Sequence, residues 1–224
     1  MMISEIIYLD ELKNYDIDIH SIRDFKVTGI TYDSRKVEKG NIFFAIKGMK
    51  EDGSSYIKDA ISLGANLIFT DSENAKEFEV PVIKVSSIRK LMALISGIFY
   101  NNPSSRIKLI GITGTNGKTT IAYLLYHLLR QKTKAAYIGT LNYQWADHQI
   151  ESSNTTPGPE LLIPMLAQMR QECVEYCVME VSSHALDQGR VHHLPLDLAV
   201  FTQLTQDHFD YHLTMERYFQ AKRL

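Results

Sequence analysis

The 224-residue sequence predicts an α/β protein whose sheet is mostly parallel and whose chain folds in two segments. Three observations predict it. Short apolar runs of strand length alternate with stretches of helical periodicity. A glycine-rich run at residues 111–120 (GITGTNGKTT) lies between one such strand and one such helix. A break at Asn101-Asn102-Pro103-Ser104-Ser105 interrupts the alternation near its middle, and the boundary is placed there, giving domains 1–103 and 104–224.

In the first segment, residues 41–46 (NIFFAI), 67–70 (LIFT) and 80–85 (VPVIKV) read as strands. Residues 56–63 read as a helix ended by Gly64, and residues 88–100 have helical periodicity. The second segment opens with a strand at 107–110, the glycine-rich turn and a helix at 121–129. A strand at 135–138, a loop at 154–158 and a helix at 160–172, which Pro164 is expected to perturb, come next. Residues 176–181 (YCVMEV) and 198–202 (LAVFT) read as strands, and residues 215–224 as a helix. Ligands of parallel sheets bind beyond the carboxyl ends of the strands. That rule puts the glycine-rich turn, residues 180–184 and residues 202–208 along one rim.

Composition narrows the function classes. Apolar content of 45% with 22% charged residues is ordinary for a globular protein. A formal charge of −2 gives no reason to expect nucleic acid or an anionic membrane as partner. No apolar run approaches the length that spans a bilayer. The acidic start, MMISEIIYLDELKNYDIDI, has no basic stretch before an apolar core and is not expected to act as a secretory signal. The only two cysteines, Cys173 and Cys177, are read as reduced thiols. The expected compartment is the cytoplasm.

Strand, glycine-rich turn and helix start together make a phosphate cradle. Glycines let successive backbone N–H groups point at phosphate oxygens, and the helix N-terminus adds partial positive charge. Lys118 would reach the outer phosphates, and the hydroxyl of Thr119 or Thr120 would hold Mg²⁺. The general P-loop spacing asks for glycine where Ile112 stands. A bare Gly-Lys-Thr reads better as a surface turn capping a helix; the strand before it, the helix after it and two further glycines reverse that in favour of phosphate.

Glu180 ends an apolar strand, where a carboxylate is costly unless paired or metal-bound. It reads either as a Mg²⁺ ligand or as a residue opening a loop or capping the next helix. His208, among eight histidines, gains weight only from its place on the rim. His192, His193 and His212 have no stronger case than packing. Lys222, on a helix, reads from spacing alone as a solvated side chain. Arg190 could grip a carboxylate or phosphate bidentately, or be a surface arginine near a turn. Asp33-Ser34-Arg35 reads as a turn able to offer hydroxyl and N–H groups.

These pieces, in this order, resemble the Mur ligases, the ATP-dependent amino-acid ligases of peptidoglycan synthesis. The runs that carry the resemblance are TYDSRKVEKGNIFFAIKG, GITGTNGKTT, IGTLNY, NTTP, MEVSSHALDQGRV and FTQLTQDHFDYHLTMERYFQAK. They cover nearly the whole chain from Thr31 onward, and the spacing that fails the general P-loop pattern is the family's usual one.

The resemblance implies roles for individual residues. The first domain is similar to a uridine-nucleotide-binding domain, with Tyr32 and Ser34 at the UDP contact and Met49, Lys50 and Glu51 nearby. Gly114, Thr115, Asn116, Gly117, Lys118, Thr119 and Thr120 match the ATP loop. Asn154, Thr155, Thr156, Ser182, Gln188 and Arg190 match positions that hold UDP-MurNAc-dipeptide. Glu180 and His208 match magnesium ligands, and Lys222 matches a lysine that the family carbamylates. A carbamate turns that cation into a carboxylate-like anion able to bind Mg²⁺, which reverses the reading of Lys222 from spacing. Lys118, Lys222 and His208 are thereby the candidate catalytic residues, with Thr119 joining Glu180, His208 and Lys222 around metal.

The implied reaction is ATP-dependent ligation of an amino acid, diaminopimelate or lysine, to the D-Glu carboxylate of UDP-MurNAc-L-Ala-D-Glu through an acyl phosphate, with two Mg²⁺ ions. A monomer is expected. Gln203, Gln206 and Gly158 depart from the family pattern. Family members run to more than twice this length, so little or no ligation is expected of the 224 residues alone. The other readings are a binding module for UDP-sugar or ATP, and a ligase for folate or another Mur intermediate. The runs at the UDP pocket and MEVSSHAL argue against folate.

Overall fold

The computed structural model describes residues 1–15, 17, 22–48, 51–72 and 78–223. The chain divides into two compact units, Met1–Phe99 and Tyr100–Leu224.

In the N-terminal unit, helix α1 (Ser4–Ile7) precedes strand β1 (Gly29–Thr31) and strand β2 (Asn41–Ala45). Helix α2 (Ile57–Ser62), strands β3 (Leu67–Thr70) and β4 (Val82–Lys84) and helix α3 (Ile88–Phe99) follow. The sheet is parallel throughout, in the order β1-β2-β3-β4. Side chains of a strand alternate between faces. Ile42, Phe44, Leu67 and Phe69 therefore pack on one side with α1 and with Leu91 and Ile95 of α3. Phe43, Ala45 and Ile68 pack on the other with Ile57 and Ala60 of α2. A strand covered on both faces reads as a continuous apolar run, which is why NIFFA was legible.

In the C-terminal unit, strand β5 (Lys108–Thr113) leads through the glycine-rich turn into helix α4 (Lys118–Arg130). Strand β6 (Ala135–Ile138), a hairpin of β7 (Asn142–Trp145) and β8 (His148–Glu151), and helix α5 (Pro159–Gln171) come next. Strand β9 (Tyr176–Glu180), helix α6 (Ser183–Asp187), strand β10 (Leu198–Phe201) and helices α7 (Phe209–His212) and α8 (Met215–Arg223) complete it. The sheet order is β10-β5-β9-β6-β7-β8.

Alternation sorts this sheet as well. Ile110 and Ile112 of β5, Val178 of β9 and Tyr137 of β6 face Ala122 and Tyr126 of α4. Leu109, Cys177, Met179, Ala136 and Ile138 face the other way, with Leu162, Leu166 and Met169 of α5. Each fully buried aliphatic or aromatic side chain contributes roughly 1.5–3 kcal/mol. Glu180 lies two residues beyond Val178, so the same alternation turns it to the α4 side, beside the start of that helix.

The structure departs from the sequence reading at several points. The C-terminal sheet is parallel only from β10 to β6, since β7 and β8 run antiparallel as a hairpin. That hairpin escaped notice because β8 is exposed at every position and its turn, Ala146-Asp147, lacks the Asn-Gly signature. The strand expected at 107–110 runs on to Thr113, and the helix expected from 121 begins at Lys118, after Gly117 takes a left-handed φ of 83°. The strand expected at 80–85 keeps only Val82–Lys84. Helix α5 passes through Pro164 without ending. Lys222 is 6% exposed, so the solvated reading from spacing fails.

Candidate active site

At the head of β5 the backbone turns at Gly114, with φ of 138°. A Cβ there would overlap Thr202 Oγ1 and crowd the Gln203 backbone, so the position needs glycine on two counts. The segment after β10 splints the turn. Thr115 N donates to Gln203 O (2.8 Å), and Thr202 Oγ1 donates to Asn116 O (2.7 Å). Thr115 Oγ1 accepts from Thr205 N (2.9 Å) and meets Tyr218 Oη (3.1 Å). Gln203 serves through its backbone, so its departure from the family pattern leaves this brace intact.

Two lysines converge on the turn. Lys118 Nζ donates to Gly114 O and Thr115 O, both at 2.8 Å. Lys222 Nζ donates to the same Gly114 O (3.0 Å) and to Thr113 Oγ1 (3.3 Å). Burial pushes the Lys118 ammonium below its usual value, opposed by the negative charges of Glu180 and Asp207. Burial, then the charge of Lys118, pushes Lys222 down to about 8. Two desolvated cations at one carbonyl make a site suited to an anion.

Glu180 is fully buried. Its Oε1 accepts from Tyr137 Oη (2.6 Å) and Thr140 N (3.0 Å). Its Oε2 accepts from Thr119 Oγ1 (2.8 Å) and Thr140 Oγ1 (3.2 Å). Between the two hydroxyls left open by sequence, Thr119 is the one that meets the carboxylate, while Thr120 is exposed. The Thr119–Glu180 pair offers hard oxygen donors beside the cradle, the chemistry that Mg²⁺ prefers.

Four of the residues matched to the dipeptide, Thr156, Ser182, Gln188 and Arg190, are joined by hydrogen bonds. Thr156 Oγ1 donates to Glu180 O (2.8 Å) and accepts from Ser182 N (3.0 Å). Ser182 Oγ caps α6 by accepting from Ala185 N (3.2 Å). Arg190 donates through Nη1 to Thr156 O (2.9 Å) and through Nε and Nη2 to Gln188 Oε1 (3.0 and 2.7 Å). Asn154 N donates to Tyr143 Oη (3.1 Å), and Thr155 Oγ1 lies 3.1 Å from Thr140 Oγ1.

His208 belongs to a different group. It sits at a left-handed φ of 52°, with Nε2 3.5 Å from Asp207 Oδ2 and its ring 4.8 Å from that of His184. Burial lowers the pKa of His184, and His212 is buried with Nε2 2.9 Å from Ser183 Oγ. Among the described residues, no three His, Cys, Asp or Glu side chains gather as a metal cluster.

In the N-terminal unit, Ser34 opens a 3-10 turn (Ser34–Lys36) capped by Asp33, and Tyr32 is exposed. Asp33 accepts from Arg35 Nε and Nη2, both at 2.8 Å, and these bonds hold its carboxyl below the usual carboxylate range. Glu51 Oε2 accepts from Tyr56 Oη (3.1 Å), and the negative charge of Glu51 acts on Arg35. Met49 and Lys50 lie outside the described residues. Sequence reasoning missed Tyr137, Gly139 and Thr140. The signal available for Tyr137 was alternation: it shares a sheet face with Val178 and Glu180.

The strands and the turn define an α/β protein, its sheets parallel but for one hairpin, with a glycine-rich loop at the strand ends. The chain belongs to the Mur ligase family. The model of the Mur ligase middle domain matches residues 112–224, and that of the Mur ligase family catalytic domain matches residues 26–100. A UDP-N-acetylmuramoyl-L-alanyl-D-glutamate–2,6-diaminopimelate ligase of Fusobacterium nucleatum is 44% identical over 89% of this chain and 41% of its own length. The ligase of the same name from Caldanaerobacter subterraneus is 42% identical over 96% of this chain and 45% of its own. A solved structure of a ligase of that name aligns at 29% identity with a TM-score of 0.71, over 88% of this chain and 40% of that one. The MurF ligase of Thermotoga maritima, solved with ADP, shares the fold at 22% identity and a TM-score of 0.57, over 92% of this chain and 43% of that one. The chain thus spans less than half the length of the relatives it matches. Among the described residues no helix is long and apolar enough to cross a membrane.

Proposed function

We propose that these 224 residues carry the UDP-sugar-binding and ATP-binding parts of a ligase that joins an amino acid to the D-Glu carboxylate of UDP-MurNAc-L-Ala-D-Glu. The meeting of Thr119 with a fully buried Glu180 beside the lysine-lined turn carries the reading. The relatives' names favour 2,6-diaminopimelate over lysine as the incoming amino acid. The N-terminal domain would take the uridine nucleotide through Tyr32, Ser34 and residues 49–51, and the enzyme would work as a cytoplasmic monomer.

The chemistry answers a difficulty of the substrate. A carboxylate is a poor electrophile, so its oxygen first takes the γ-phosphoryl group of ATP. One O–P bond forms, the bond to ADP breaks, and an acyl phosphate results. The amine of the amino acid then attacks the acyl carbon, a C–N bond forms and phosphate leaves. Lys118 turns from the loop carbonyls toward the phosphates, where its charge offsets what builds up in transfer. Backbone N–H groups of residues 114–120 hold the phosphates in line. Arg190, Thr156 and Ser182 orient the peptide carboxylate. Bound Mg²⁺, one or two ions, would supply further charge neutralisation, held by Thr119, Glu180, His208 and a carbamylated Lys222.

Calorimetry tests this. The purified chain is expected to bind Mg²⁺ with a non-hydrolysable ATP analogue and, separately, UDP-MurNAc-L-Ala-D-Glu, yet to ligate neither diaminopimelate nor lysine on its own. Absence of heat with both ligands would overturn the reading.

A further inference from the structure

The hydrogen bonds around Glu180 are unequal in kind, and the inequality selects one of its oxygens. An ionised carboxylate has two oxygens and about four acceptor sites. Oε1 receives two donors whose heavy atoms are held in place. One is the Tyr137 hydroxyl at 2.6 Å, on a fully buried ring packed edge-on against Tyr123 at 5.4 Å. The other is the backbone N–H of Thr140 at 3.0 Å. Oε2 receives only the hydroxyls of Thr119 and Thr140, at 2.8 and 3.2 Å. A threonine hydroxyl sits on a short side chain that can change rotamer, so it can move aside or present a lone pair instead of a proton. Fixed donors thus anchor one oxygen while adjustable ones cover the other.

Gly139 is part of the same arrangement. A Cβ there would overlap both Glu180 Oε1 and the Tyr137 hydroxyl, so the backbone of the turn after β6 approaches the carboxylate only because residue 139 has no side chain. Thr140 also reaches the run matched to the dipeptide, with its Oγ1 3.1 Å from Thr155 Oγ1.

We propose that Tyr137 and Thr140 are positioning residues that clamp Glu180 by Oε1 and present Oε2, with Thr119, to the nucleotide-bound divalent cation. The inference rests on the reading of Glu180 as a metal-holding carboxylate. Both act through Glu180. Partners of this kind typically change metal affinity 10–100-fold when removed.

The experiment is calorimetric titration of the chain with AMP-PNP, in EDTA and across a series of Mg²⁺ concentrations. For Tyr137→Phe, the Mg²⁺ concentration giving half-maximal binding is expected to rise roughly tenfold, with affinity in EDTA unchanged. Thr140→Ala keeps the backbone N–H on Oε1 and removes only the hydroxyl on Oε2, so it is expected to shift the Mg²⁺ dependence less than Tyr137→Phe does. Trp145, the one tryptophan and buried in the same unit, reports by fluorescence that each variant is folded. An unshifted Mg²⁺ dependence in Tyr137→Phe, or a larger shift in Thr140→Ala than in Tyr137→Phe, would overturn the inference. So would an equal loss of affinity with and without Mg²⁺, which marks a structural role only. Failure of the unsubstituted chain to bind AMP-PNP at all would instead remove the reading beneath it, and the inference with it.

Discussion

The two units put polar residues to opposite uses. In the C-terminal unit several candidate groups are buried: Glu180 and Thr156 are fully inaccessible, and Lys222 nearly so. In the N-terminal unit the matched groups sit on surface turns, where Asp33 pairs with an Arg35 side chain that is 87% exposed. A hydrogen bond in water is exchanged for another at little net gain, whereas a buried donor stripped of its acceptor costs the full desolvation. Substitutions in the N-terminal unit should therefore change stability little, and those that orphan a buried partner in the C-terminal unit should change binding and stability together.

The sharpest way to break that comparison is Glu180→Ala. It leaves Tyr137 Oη, Thr140 N and two threonine hydroxyls facing a gap. At roughly 1–3 kcal/mol for each orphaned buried donor, less whatever water enters, a loss of about 3 kcal/mol is expected. Urea unfolding followed by Trp145 fluorescence measures it. Glu180→Gln keeps one acceptor and the shape, and should recover most of the stability while still weakening the response to Mg²⁺. A neutral Glu180→Ala would mean that burial does not distinguish the units.

Lys118→Ala comes next, with its effect on ligand and not on fold. The ammonium is depressed by burial and rests on two loop carbonyls, so its removal relieves as much desolvation as it loses in hydrogen bonding. Affinity for the ATP analogue should fall about 100-fold, near 2.7 kcal/mol, because the lost partner is a charge facing charge. The unfolding midpoint should stay within error. A large drop in stability with intact binding would assign Lys118 to structure.

How much of this was legible follows from the reach of each contact. The cradle is local: residues 111–120 contain their own turn glycines, lysine and hydroxyl, so the run speaks without its neighbours. Glu180 was visible because a carboxylate ending YCVME is out of place in a buried strand. Tyr137 and Thr140 were not, because they meet Glu180 only when β6 lies beside β9, and sheet order is not written in any local run. Lys222 shows the same limit. Its helix reads as polar, and only packing against a turn 108 residues earlier buries it. The β7–β8 hairpin was missed for want of an apolar side on β8.

The smallest expected effect tests the exposed side of the comparison. Asp33→Asn keeps the oxygen that caps the Arg35 N–H and removes the charge together with the acceptor for Arg35 Nη2. Asp33 titrates below its ordinary value of 3.8 in the folded chain, chiefly through its hydrogen bonds with Arg35. A depressed acid stabilises the fold above the unfolded pKa, and that contribution fades as pH falls through the folded one. Because Arg35 is in water, the contribution at neutral pH should be under about 1 kcal/mol and should shrink with added salt. Hydrogen exchange of amides in the N-terminal unit, at pH 7 and in high salt, measures it without interference from the other unit. If the substitution costs as much as Glu180→Ala, the Asp33–Arg35 pair is shielded from water, and the difference drawn between the two units fails at the residue where it should be plainest.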